Sequence, residues 1–158
     1  MDRVNCILKD NEFLKNLEKN KEAEKERIFC HHDIIHFLDV CRIATIINYE
    51  KELNIDKELI YAAGLLHDIG RWIEYRTGED HAITSARLAE PILRRCNYTE
   101  SEIGEILLAI KAHRGKDHKT DLSSIIYQAD EESRACFECD AKEKCKKFLN
   151  GETYYLLY

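Results

Sequence analysis

Leu65-Leu66-His67-Asp68-Ile69-Gly70 is the stretch on which the reading of this chain turns. A histidine and an aspartate stand side by side at the end of a long apolar run, with glycine two residues on. Neighbouring side chains on a helix point about 100° apart, so both can reach one point only where the helix ends or bends. Gly70 supplies such an ending. His67 and Asp68 are therefore placed to hold one metal ion from a helix terminus. A helix cap beside a half-buried histidine would leave the same six residues, so the surrounding chain has to decide.

Working outward, His36 shares a helical face with Val40, Ile43 and Ile47, the face that a helix buries. Downstream, Asp80-His81-Ala82 opens a helix, Ala109-Ile110-Lys111-Ala112-His113 closes another, and Gln128-Ala129-Asp130 ends a third. Each puts a metal-competent side chain at or near a helix end, beside small residues that let helices approach closely. Taken singly, each has a plainer alternative. His36 could be a satisfied core histidine, His81 a neighbour of the Asp80 cap, and His113 a C-terminal cap favoured by the helix dipole. Asp130, followed by Glu131 and Glu132, could be a solvated helix end.

In order, the series His36, His67-Asp68, His81, His113, Asp130 resembles the HD superfamily of metal-dependent phosphohydrolases. The matching pieces are His36 with Val40 and Ala44, Ala62 through Gly70, His81 with Ser85, Ala86 and Ala89, Ile110 through His113, and Ala129-Asp130. They run from about residue 30 to 135. The resemblance implies an all-α, single HD-type domain of about six to seven helices around a central metal site. It also implies that His36, His67, Asp68 and Asp130 form the core site, and that His81 and His113 mark the binuclear branch with Asp68 as bridge. Such a donor set suits divalent Mn, Fe, Co, Ni or Zn, one or two per chain. The expected activity is hydrolysis of a phosphomonoester or phosphodiester of a small, nucleotide-like metabolite by a metal-activated hydroxide, with Asp68 in the catalytic centre.

Departures from better-defined branches narrow this. No Gly-Tyr-Pro signature follows His113, which argues against cyclic-dinucleotide substrates. Arg71 stands where the deoxynucleotidase branch carries a water-serving glutamate. Arg71 and Arg114 are instead candidates to meet the substrate phosphate. Lys111, Lys116 and Lys119 also fall near His113, and a solvated loop is expected for Lys116 and Lys119. Arg134 is expected to pair with acidic neighbours. His31, His32 and His118 fall outside the register and are expected at the surface or behind the ligands. Two alternatives remain. One is a di-iron HD-type oxygenase acting on a small polyol or phosphonate, whose ligand order is the same; the other is a non-catalytic metal-binding regulatory domain.

The chain has 158 residues, the length of one domain with a real core. We read it as one domain over 1–158, with its HD core at about 30–135 and a cysteine-containing extension at 136–158. The net charge of −6 argues against stable nucleic-acid binding. No segment reads as a signal peptide or membrane span, and seven cysteines then suit a reducing cytoplasm, with thiols or a metal site favoured over disulfides. The expected partner is a small phosphorylated substrate, and a homo-oligomer is open. Helices are expected over 11–27, with an apolar stripe of Phe13, Leu14, Leu17 and Ala23, and from caps at Asp33, Asp56, Asp80, Thr99 and near Asp121, with Pro91 kinking the fourth. Cys136-x-x-Cys139 with Cys145 is half of a separate zinc or iron–sulfur site, or three reduced thiols in a turn. A fourth ligand would come from Cys30, Cys6, His118 or a second chain. The apolar tail, including Tyr154, Tyr155, Leu156, Leu157 and Tyr158, is expected to pack back on the domain or on a partner.

Overall fold

The computed structural model describes residues 1–115, 119–151 and 155–158. Lys116, His118 and Tyr154 lie outside the described residues. Among those described, nine α-helices and two 3-10 turns carry the regular structure, with no strand. They are α1 (Asp2–Lys9), α2 (Asn11–Ala23), α3 (Ile34–Glu50), α4 (Lys57–Leu66), α5 (Arg71–Thr77), α6 (His81–Arg95), α7 (Glu100–Ala112), α8 (Asp121–Glu132) and α9 (Lys146–Leu149); the turns are Cys136–Glu138 and Lys142–Lys144. The expected count of about six to seven is met by the long helices and exceeded by the short ones at the ends.

The helix starts follow from their caps. Asp33, Asp56 and Asp80 each accept a backbone N–H from the first turn, and Thr99 with Glu102 closes a capping box. A second box, Thr120 with Ser123, starts α8 and was not read in the sequence. α3 stops at Glu50, and just beyond it Glu52 and Asn54 turn left-handed, with φ of 53° and 59°. Helix α6 continues through Pro91.

α4 sits at the centre, in contact with α1, α3, α6, α7 and α8. Leu59, Ile60, Ala62, Ala63, Gly64, Leu65 and Leu66 are all buried there, which is why its sequence is apolar all round. Gly64 permits the α3 crossing: a Cβ on it would meet Cys41 Sγ at 2.6 Å. One apolar cluster runs from Val4 in α1 to Ala129 in α8. No helix among the described residues is long and apolar enough to cross a membrane.

Two expectations are corrected and a third is met in part. On α2, Leu14 and Ala23 face solvent, and the buried face carries Phe13, Asn16 and Asn20, continued by Glu24. Cys6 and Cys96 form a disulfide tying α1 to the end of α6, whereas Cys30, Cys41, Cys136, Cys139 and Cys145 are free. Among the described tail residues only Tyr158 packs back, with its hydroxyl donating to Glu50 Oε2 at 3.3 Å. Tyr155, Leu156 and Leu157 are exposed.

Candidate metal centre

The six residues singled out in the sequence converge. His36, His67, Asp68 and Asp130 bring one ligand atom each within 4.8 Å of one another, and Asp68, His81 and His113 do the same. Asp68 belongs to both groups and divides its oxygens between them. Its Oδ2 lies 3.5 Å from His67 Nε2, while Oδ1 lies 3.2 Å from His81 Nε2 and 3.4 Å from His113 Nε2. On the other side, Asp130 Oδ1 is 3.2 Å from His36 Nε2 and 3.7 Å from His67 Nε2.

Each imidazole is oriented from behind. His67 Nδ1 donates to Gly64 O at 2.7 Å and His113 Nδ1 to Ile110 O at 2.6 Å; a carbonyl can only accept, so Nδ1 of each carries a hydrogen and Nε2 is the atom turned to the centre. His81 Nδ1 meets Glu74 Oε2. Ser133 Oγ donates to Asp130 O at 3.0 Å and so accepts from His36 Nδ1 at 3.3 Å. All four rings thus aim Nε2 at the carboxylates. His36 Nε2, His67 Nε2 and Asp68 Oδ1 are buried without a hydrogen-bond partner. Orphaned buried acceptors are costly, and their gathering at one point fits divalent ions as the missing partners.

The electrostatics agree. Burial pushes the Asp68 carboxyl up, but His67, His32 and His113 hold it well below the ordinary carboxylate range. For Asp130, burial is likewise overridden, chiefly by Arg134, whose Nη2 donates to Oδ1 at 2.8 Å. Arg134 does pair with an acidic neighbour, and that neighbour is one of the candidate ligands. Burial lowers His81 to about 4 and lowers His36, keeping both imidazoles neutral. His113 goes the other way: burial opposes protonation, but the adjacent Asp68 raises it.

The turn at His67-Asp68 is built by contact with α6. Gly70 is not left-handed, and it does more than end a helix. A Cβ there would meet Thr84 Oγ1 at 2.5 Å and Ser85 N at 2.6 Å, while its N–H donates to Ser85 Oγ at 2.9 Å. From the opposite side, Asn20 Nδ2 donates to Asp68 O and Asn20 Oδ1 accepts from Trp72 N, both at 2.9 Å. Asn16 Oδ1 accepts from Trp72 Nε1 at 2.9 Å. This polar face of α2 carries a signal that could have been read: Asn16, Asn20 and Glu24 recur every fourth residue.

His32 is a further residue the ordered series missed. It is buried, and its Nε2 lies 3.5 Å from Asp68 Oδ2. Glu24 grips it twice, accepting from the backbone N–H at 2.7 Å and facing ring Nδ1 at 2.5 Å. Glu24 also accepts from Tyr75 OH at 2.6 Å.

A cavity of about 240 Å³ opens on the centre, lined by His32, Asp68, Arg71, His81, His113, Arg114, Tyr127, Asp130, Glu131 and Arg134. Arg71 and Arg114 stand at its wall, and Glu74 accepts from both at 2.9 Å. Arg71 also lies 2.5 Å from His81 Nδ1. Lys111 and Lys119 line a separate depression with Leu108, Ala112 and Ser123.

The chain matches the family model described as HD domain over residues 33–135. It is 43% identical over 158 residues to an uncharacterized protein of Clostridium beijerinckii, covering 98% of this chain and 100% of that one. Over 94 residues it is 32% identical to ribonuclease Y of Desulforamulus reducens and 34% identical to ribonuclease Y of Clostridium tetani; those matches cover 60% of this chain but 16% of each relative. The crystal structure of a predicted HD superfamily hydrolase from an uncultured Thermotogales bacterium superposes with a TM-score of 0.60 at 31% identity, covering 75% of this chain and 66% of that one.

Proposed function

This chain belongs to the HD-domain family, and from that premise we propose that it hydrolyses a phosphoester of a small phosphorylated metabolite. Family, structural neighbour and the His/Asp cluster support metal-dependent, hydrolase-type chemistry. The observation that carries the finer reading is Asp68, which shares its two oxygens between two ligand groups beside three orphaned acceptors. His36, His67, Asp68 and Asp130 would hold one ion, and Asp68, His81 and His113 a second. Divalent ions, when bound, lower the pKa of water and neutralise phosphate oxygens.

The chain's own groups do the rest. Backbone carbonyls, Glu74 and Ser133 orient the four imidazoles with Nε2 toward the carboxylates. Two carboxylates against two divalent ions leave positive charge uncompensated, and Arg71 and Arg114 extend it to the cavity wall, so an anionic group is drawn in. Glu74 holds both guanidiniums in place for a phosphate. Glu24, facing Nδ1 of His32 and accepting from its backbone N–H, orients the ring so that His32 Nε2 stands on the cavity beside Asp68. The cavity is below the usual range for drug-sized ligands of about 300–1,000 Å³, which favours a small substrate.

The test is phosphate release from small phosphomonoesters, nucleotides and a short RNA by metal-stripped protein reloaded with Mn, Fe, Co, Ni or Zn. Release is expected from the small substrates and lost in Asp68→Ala. An active Asp68→Ala protein with full metal would overturn the reading. So would oxygen uptake by the iron-loaded protein without phosphate release from any substrate.

A further inference from the structure

The cysteines of the C-terminal extension are the reactive groups that this chemistry leaves unused. Cys136, Cys139 and Cys145 fall close together in sequence. The fold brings a fourth sulfur from far upstream: Cys30 lines the same cavity of about 420 Å³ as Cys136 and Cys139, between the start of α3 and the end of α8. Cys139 N–H donates to Cys136 O at 3.4 Å, the turn that places both cysteines on that cavity. All four are free thiols.

We propose that Cys30, Cys136, Cys139 and Cys145 form a tetrathiolate site for one structural zinc ion, which fastens the extension to the start of α3. Three features besides the spacing support this. First, the extension has almost no core: among its described residues only Cys136 and Ala141 are buried. Two three-residue 3-10 turns and a four-residue helix do not hold themselves together. A metal staple is a common remedy for such a segment.

Second, a cation stands beside each of two sulfurs. The Arg134 guanidinium interacts with Cys30, and Lys147 opposes the burial that pushes the Cys136 thiol up, so the two partly offset the negative charge of four thiolates on one zinc. Third, the cavity leaves room for the sulfurs to draw in. Among the described residues only the two histidine–aspartate groups bring three candidate ligand atoms within 4.8 Å. No three of the four sulfurs lie within that distance of one another, and zinc binding would close them, as ion binding and local folding are coupled in sites of this kind.

The experiment compares wild type, Cys139→Ser/Cys145→Ser and Cys30→Ser, each expressed in zinc medium and analysed for zinc, iron and sulfide. Wild type is expected to carry one zinc more per chain than the double variant, and Cys30→Ser to bind that zinc more weakly. Cobalt in place of zinc should give a sulfur-to-metal charge-transfer band that the double variant lacks. In case the variants fail to fold, wild type alone decides: zinc should shield four of the five free cysteines from alkylation, leaving buried Cys41 as the unchanged control. Asp68→Ala, which empties the histidine centre, should keep this zinc, so failure there is separable from failure here. Equal zinc in wild type and double variant, thiols alkylated equally with and without zinc, or iron with sulfide at these cysteines would overturn the proposal.

Discussion

A single methyl group, added at two glycines, should change stability in opposite directions. At Gly70 the new Cβ would lie 2.6 Å from Ser85 N and 2.9 Å from Thr84 C, both backbone atoms that no rotamer change can move. The α4–α5 turn must therefore shift away from α6. Overpacking of that kind costs about 1–3 kcal/mol. The shift also lengthens the Gly70 N–H bond to Ser85 Oγ, worth about 1 kcal/mol. Together about 2–4 kcal/mol is expected, which for a chain of this size lowers Tm by about 5–15 °C. Gly104 is an exposed position inside α7 where a Cβ meets nothing within 4 Å. There the gain in helix propensity stabilises by about 1 kcal/mol, raising Tm by about 2–4 °C. The assay is scanning calorimetry of metal-stripped Gly70→Ala and Gly104→Ala proteins, so that ion loss does not enter. Metal content is then measured after reloading, because Asp68 lies two residues from Gly70. Shifts of the same sign, or an unperturbed Gly70→Ala protein with full metal, would refute the close-contact origin of this glycine.

Four further outcomes test other parts of the centre. His81→Ala with His113→Ala should lower the metal content of the reloaded protein by one ion per chain; unchanged stoichiometry would favour a mononuclear site. Asn20→Ala strands the Asp68 carbonyl and the Trp72 N–H in a buried place and should cost about 2–4 kcal/mol in urea unfolding; a loss under about 1 kcal/mol would remove α2 from the support of the turn. Burial pushes the Glu24 carboxyl up, but the hydrogen bonds from His32 and Tyr75 win and hold it at about 2. Its folded pKa lies below the unfolded one, so its contribution is complete above the ordinary value near 4.5 and drains as pH falls toward about 2. Glu24→Gln should flatten the acid limb of Tm against pH; parallel acid limbs would count against it. Arg71→Ala should raise KM for the phosphoester more than it lowers kcat, and an unchanged KM would place Arg71 outside the binding of phosphate.

Much of the convergence was legible because the candidate ligands sit where helices start and stop, and those places carry strong local signals. Asp33, Asp56, Asp80 and Thr99 cap as read, and each fixes the phase of a helix that delivers a ligand. His36 was legible through the apolar stripe it interrupts. What escaped was support that depends on tertiary pairing. Asn16, Asn20 and Glu24 look like the solvated side of a charged helix until Trp72 and Asp68 are placed opposite them. His32 gave no periodic signal, since it precedes the Asp33 cap and is positioned by a carboxylate eight residues upstream. Gly70 was read as a helix stop, whereas its requirement comes from Thr84 and Ser85 of a different helix. Glu74 was not singled out at all; its role exists only because Arg71, Arg114 and His81 meet around it.

The polar face of α2 bears on how this fold can be divided. The family match begins at residue 33, yet Asn20, Glu24 and His32 all precede it and all press on Asp68 or on what holds it. A segment trimmed to the span of the family model would keep every proposed ligand and still lose one wall of their setting. Grafting experiments and boundary choices for recombinant production should therefore start upstream of Asn11, where α2 begins. The span of the family model and the length that can stand alone as a working part are, in this chain, different.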